Sequence, residues 1–156
     1  RPAWVRITRF AVATGQPLAQ NAYALAPLPD SAWLGITGRF ATNGVSELLV
    51  LSEQRLLVLE RAYAVGAGFT CRLFEAALDG ATEVSRIASL TQARFVAASK
   101  HLLLTLGGAG ITPDNYEGMA LGPMLATGEQ LLVICSDNNF GRRRPSRFLA
   151  FAVRRL

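Results

Sequence analysis

Ser46-Glu47-Leu48-Leu49-Val50-Leu51-Ser52-Glu53-Gln54-Arg55-Leu56-Leu57-Val58-Leu59-Glu60-Arg61 admits two readings. Leu, Glu, Gln and Arg are good helix formers, so propensity alone makes the stretch a helix. A second stretch downstream decides against that. Residues 46–51 align with Tyr116-Glu117-Gly118-Met119-Ala120-Leu121 at an offset of 70, and residues 55–59 align with Gln130-Leu131-Leu132-Val133-Ile134 at an offset of 75. The second copy carries Gly118, Gly122 and Pro123, which a helix interior does not tolerate. Both copies therefore read as a Glu entering a short strand, a turn, and a buried strand ending in polar residues. The unit is a repeated β-hairpin.

Working outward, strand signals recur with turn signals between them. Residues 5–12 alternate and then slip register at Arg9-Phe10, Gly15-Gln16-Pro17 turns the chain, and 21–25 returns. Pro27, Pro29 and Asp30 make a loop before a short Gly-flanked segment at 33–38. Further strands are expected at 47–51, 55–63, 70–78, 100–106, 117–121, 130–136 and 147–153. Residues 85–98 fit a helical period weakly and read as a loop with one helical turn at most. Hairpins repeating at this scale suggest the four-stranded blades of a β-propeller, each about 40–50 residues long. The chain of 156 residues is then an all-β single domain with material for about three blades. A closed ring needs about four, so an incomplete propeller is expected.

Composition narrows the class. Hydrophobic residues make up 51% and charged residues 17%, a globular balance rather than a disordered one. No run approaches the roughly 18 apolar residues of a membrane span. Arg1-Pro2-Ala3-Trp4 leads straight into the first alternating segment, so a processed or truncated protein is expected, with any targeting segment outside it. The net charge is +5, but fifteen of the sixteen basic residues are Arg and most are scattered. No aromatic stacking platform accompanies them, so no nucleic-acid partner is expected. Cys71 and Cys135 each sit inside an apolar run without metal spacing, and read as small buried residues or, in an exported protein, a disulfide.

The chemistry-bearing residues gather near the C-terminus. Asp114-Asn115-Tyr116-Glu117-Gly118 and Ser136-Asp137-Asn138-Asn139-Phe140 lie at the two ends of one expected hairpin, so they can meet at one sheet edge. Their oxygens are hard ligands suited to calcium, and such an ion could polarise an ester and acidify a bound water. The same residue types are also ordinary turn formers. Arg142, Arg143, Arg144 and Arg147 stand nearby, able to hold an anion through paired hydrogen bonds or to be a solvated loop. In the first hairpin Glu47 and Glu60-Arg61 take comparable places, as a ligand or base and an anion clamp, or as a surface ion pair. No nucleophile elbow or zinc-protease motif is present. His101, the only histidine, reads beside Lys100 as a surface position, and the glycines at 107, 108 and 110 form a flexible loop rather than a phosphate cradle.

These residues also carry a family resemblance. The run from Asp114 to Pro123 resembles the D-N-x-E-G-x-A motif of the esterase-like phytase domain, and Ser136 to Phe140 and Arg147 to Phe151 are similar to its later segments. Residues 55–61, R-L-L-V-L-E-R, resemble one of its strands, and 80–85 is similar as well. The likeness runs in consistent order from Trp4 to Val153. It implies a propeller-like domain of exported bacterial proteins, periplasmic or extracellular, associated with hydrolysis of phosphate monoesters or related esters and with calcium. By position it implies Glu117, Asp137 and Glu60 as catalytic carboxylates, and Glu47, Asp114, Glu117, Asp137 and Asn138 as metal ligands. Arg61, Arg147 and Asn139 become substrate contacts. Arg147 stands where an uncharged polar residue is expected, and the family's N-terminal half is expected to lie outside this chain. A chain of this extent is expected to expose sheet edges, to associate through them, and to show no turnover alone. The alternative function is a non-catalytic propeller module that binds ligands at the cell envelope.

Overall fold

A computed structural model describes residues 3–28, 41–141 and 145–154. The segment at 33–38, Asp30 and Arg142–Arg144 lie outside these. Among the described residues nine strands form three antiparallel sheets, none closed. The first pairs β1 (Trp4–Phe10) with β2 (Pro17–Ala24). The second runs in order through β3 (Ala41–Val50), β4 (Arg55–Ala64), β5 (Gly68–Ala77) and β6 (Ser99–Thr105). The third joins β7 (Tyr116–Met124), β8 (Gln130–Ser136) and β9 (Phe148–Val153). The fold is all-β, and no described helix is long and apolar enough to cross a membrane.

The stretch that propensity would make helical is the hairpin β3–β4. Its second strand explains why tertiary packing wins. Successive side chains of a strand point to opposite faces, and in β4 both faces are covered. Leu56 and Val58 enter a core layer with Ile7, Tyr23 and Phe74 against the first sheet. Leu57 and Leu59 enter a second layer with Leu73, Leu106, Leu132 and Ile134 against the third. Leu57, Val58 and Leu59 are all 0% exposed, each stabilising the strand by roughly 1.5–3 kcal/mol through burial. A helix would turn part of this run to solvent.

The internal repeat holds, with a correction to its register. Ser46 is skipped between the pairs Val45–Glu60 and Glu47–Leu59, and Glu117 is skipped between Tyr116–Ser136 and Gly118–Cys135. Both hairpins thus carry a β-bulge at the same place. Aligning the bulges gives offsets of 71 in the first strand and 76 in the second, one residue more than the sequence alignment. A slip of one residue exchanges the faces of a strand, so the correction decides which side chains are equivalent. Ser46, rather than Glu47, is the counterpart of Glu117, and Glu60 is the counterpart of Ser136. The slip expected at Arg9-Phe10 is present as a register shift between β1 and β2.

Residues 78–98 contain no helix and lie along the free edge of β2. Val84 N donates to Gln20 O at 2.8 Å and Ala98 N to Ala22 O at 2.8 Å, while Trp4 and Phe95 meet edge to face at 5.0 Å. Glu83 fixes the start of this strap. Its carboxylate accepts from the Gln20 and Ser85 backbone N–H groups and from the Ser85 hydroxyl, and the Gln20 hydrogen bond is the first cause of a lowered pKa. A lowered carboxylate pKa means that the contact is fully present above the ordinary glutamate range and is lost as pH falls through the depressed value. In an NMR pH titration, Glu83 is expected to protonate below a free glutamate, with the Gln20 and Ser85 amide shifts moving together. Titration at or above the free value would contradict the assignment.

Candidate functional site

Glu60 and Arg61 are sequence neighbours with opposite destinations. Glu60 faces the first sheet and is 3% exposed. It accepts from the Tyr23 hydroxyl at 2.6 Å, the Ala26 N–H at 2.8 Å and Lys100 Nζ at 2.5 Å. Lys100 also donates to Ala24 O at 2.7 Å and lies over the Phe74 and Tyr23 rings. Burial, reinforced by the Glu60 carboxylate, pushes the Tyr23 hydroxyl pKa far up. The group is a fully engaged strut between β2, β4 and β6. Lys100, to which the sequence reading assigns no role, is one of its three charged or polar members. His101 beside it is exposed.

Arg61 faces the third sheet. The bulge at Glu117 re-aims that side chain, and Arg61 Nη1 donates to Glu117 Oε1 at 2.8 Å. The pair joins β4 to β7 in an open pocket of about 370 Å³, lined also by Thr42, Tyr63, Phe69, Asn115 and Asn139. Arg61 stands 5.8 Å from the centre of the Phe69 ring, and Phe69 packs on Tyr63 at 4.9 Å. The floor is made by Asn115, 1% exposed. Its Nδ2 donates to Asp137 O at 3.3 Å, while its buried Oδ1 has no partner. A buried acceptor left unpaired costs about 1–3 kcal/mol, so Asn115 Oδ1 carries an unmet hydrogen-bond demand beneath the pocket. Asn115 stands in the Asp114–Gly118 run singled out in the sequence, but no individual role for it follows from the sequence.

The loop after β8 closes one side of the pocket. Asp137 Oδ1 accepts from Asn139 N at 3.0 Å and Asn138 Oδ1 accepts from Phe140 N at 2.9 Å, two successive side-chain turns. They hold Asn139 at φ +52° and Phe140 at φ +58°, a conformation uncommon for side chains other than glycine. Asp114 pairs with Arg147 at 3.5 Å and accepts from the Asn115 N–H at 2.8 Å. Burial pushes the Cys71 thiol pKa up, so this residue, paired across from Arg61 in the sheet and donating to Asp114 O at 3.1 Å, is a buried thiol and not a thiolate. Cys71 and Cys135 are both free. Cys71 packs between the second and third sheets, and Cys135 alternates with Ile134 toward the far side of the third.

The structure thus gathers Arg61, Glu117 and Asn139 around one pocket, with Asp137 and Asn138 shaping its loop. Glu60 stands on the other face of β4, and Glu47 accepts from its neighbour's backbone, the Leu48 N–H, at 2.8 Å. Calcium takes six to eight oxygens. Among the described residues no three acidic, His or Cys side chains are placed to share an ion. Glu117 is engaged by Arg61, Asp114 by Arg147, and Asp137 and Asn138 by their own turns, so each of these oxygens already has a partner within the protein. What the pocket offers is a guanidinium, an adjacent carboxylate and amide groups, the means to hold an oxyanion and accept a proton.

No curated protein and no solved structure matches the chain. The family model for phytase-like proteins, described as the esterase-like activity of phytase, matches residues 1–140. That match includes every residue lining the pocket and stops before β9. The chain belongs to the phytase-like family.

Proposed function

We propose that the pocket around Arg61 and Glu117 is the ester-binding site of a hydrolase domain acting on phosphate monoesters or related esters. The observation behind this reading is the Arg61–Glu117 pair, brought from two sheets to 2.8 Å beside an unpaired buried acceptor. The two side chains are 28% and 39% exposed, and a pair so accessible contributes only about 0.2–1 kcal/mol. An incoming anion can therefore take the guanidinium at small cost, held by two parallel N–H donors. Asn115 and Asn139, which line the pocket, border the ester on its other sides. Glu117, released by Arg61, accepts a proton from an attacking water. The water oxygen bonds to phosphorus, the ester P–O bond breaks, and the leaving oxygen takes a proton from solvent. The scheme uses only the chain's own residues.

The non-catalytic reading rests on one observation: among the described residues Glu117 is the sole carboxylate lining the pocket, and it is already engaged by Arg61. In that reading the site binds an anion and stops there. The propeller reading belongs to the same proposal, since β7 lies closest to β3 and β4, as successive blades do around a common axis.

Glu117→Gln separates these roles. With the competing charge removed, inorganic phosphate is expected to bind the variant several-fold more tightly than the wild type. Any turnover of a chromogenic phosphate monoester is expected to fall by about 10²–10⁴ as the proton acceptor is lost. Phosphate binding that weakens in Glu117→Gln would contradict the proposal, because that is the outcome if Glu117 held a cation that held the phosphate. Wild-type binding without turnover selects the binding module.

A further inference from the structure

β1 carries two arginines three residues apart, and they turn to opposite faces of the strand. Arg6 has its acceptors in place, donating to Gln20 Oε1 at 3.2 Å, to Val84 O at 2.7 Å and to Ile87 O. Arg9 alternates with Val5 and Ile7, which pack into the core layer between the first and second sheets. It is therefore an inward-facing charge at the end of that layer. Its Nε is buried and has no hydrogen-bond partner. Among the described residues its guanidinium makes no ion pair.

The space beside Arg9 arises because a two-stranded sheet does not cover a four-stranded one. Leu48 and Val50 of β3 pair with Val58 and Leu56 and point to the same side, yet they are 38% and 68% exposed. What results is a cleft of about 490 Å³ between the two sheets, with Arg9 on its lining. Ile7, Leu56 and Leu78 are its buried walls, and Leu18, Leu48 and Val50 its exposed ones. This volume is ordinary for a small-molecule site, where apolar walls are combined with a few polar groups that fix orientation. Glu53 also lines the cleft, but it is exposed in the turn between β3 and β4, so water and salt screen its charge.

We propose that this cleft binds a small apolar carboxylate, with its tail against the leucines and its charged end on Arg9. A charge facing apolar surroundings without a partner is costly, and an anion offsets that cost. A carboxylate also matches the planar guanidinium, which can hold both of its oxygens. A neutral apolar ligand, or an apolar strand of another chain, would cover the leucines and leave Arg9 unpaired. The site is separate from the pocket around Arg61. Arg61 faces the third sheet, Leu56 faces the first, and no residue lines both.

Calorimetric titration with octanoate and with octanol, which share a tail and differ in charge, tests the proposal. The wild type is expected to bind octanoate with a Kd below about 1 mM, and octanol at least about tenfold more weakly. Arg9→Met is expected to lose that preference, with octanoate affinity falling by at least about tenfold and octanol held no less tightly. Arg61→Met is expected to leave octanoate binding unchanged. No octanoate binding, or equal octanoate affinity in the wild type and a folded Arg9→Met, would overturn the proposal. So would octanoate and octanol binding alike to the wild type, which would make the cleft merely apolar. If Arg9→Met does not fold, the comparison of the two ligands on the wild type decides alone.

Discussion

Glu60→Ala is expected to lower the melting temperature by about 6–20 °C, a loss on the scale of emptying a core position although the side chain is charged. Glu60 is the shared acceptor of Tyr23, Ala26 and Lys100. Truncating it leaves an ammonium only 19% exposed, a buried phenol and a buried backbone N–H without their partner. Removing one member of a buried pair in this way costs about 3–5 kcal/mol, a large share of the roughly 5–15 kcal/mol that holds a domain together. The double variant Glu60→Leu, Lys100→Met removes the charge together with its partner and is expected to be more stable than Glu60→Ala. Thermal unfolding of the three proteins checks this. An unchanged melting temperature in Glu60→Ala would show that the strut is not structural and would return Glu60 to the list of candidate catalytic groups.

The second large effect is functional. Arg61→Met keeps an unbranched apolar stem and removes the guanidinium, whose carbon lies 5.8 Å from the centre of the Phe69 ring. Hydrogen bonds between charged groups contribute about 1.5–3 kcal/mol each, so phosphate affinity is expected to fall by at least about tenfold. Arg61→Lys restores the charge without the planar fork and is expected to recover only part of the loss. Stability should change little, because the Arg61–Glu117 pair is partly exposed. Equal phosphate affinity in wild type and Arg61→Met would remove Arg61 from the site.

The strands were legible because the sequence alternates and repeats. The segment 130–136 has its expected bounds, most others differ by one to four residues at their ends, and β3 begins six residues before the expected 47. Register was harder. A β-bulge adds a residue without marking itself in composition, and aligning Glu47 with Glu117 by identity hid the bulges at Ser46 and Glu117. That single residue decides facing, and facing separates Glu60, part of a buried strut, from Arg61, part of a pocket. Nothing in R-L-L-V-L-E-R distinguishes the two, because β4 is covered on both sides and its apolar run is continuous. Lys100 escaped notice for a related reason. A lysine at a strand start usually meets solvent, and only the tertiary fold brings it to Glu60. Asn115 could have been suspected, since an Asn between Asp114 and the buried Tyr116 must satisfy its amide somewhere.

Calorimetric titration of the wild-type chain with inorganic phosphate, once with excess chelator and once with calcium, tests the central claim most directly. The pocket as described recognises the anion through Arg61 and its neighbours, so the same affinity is expected in both buffers. Binding seen only with calcium, or no binding in either buffer, would contradict it.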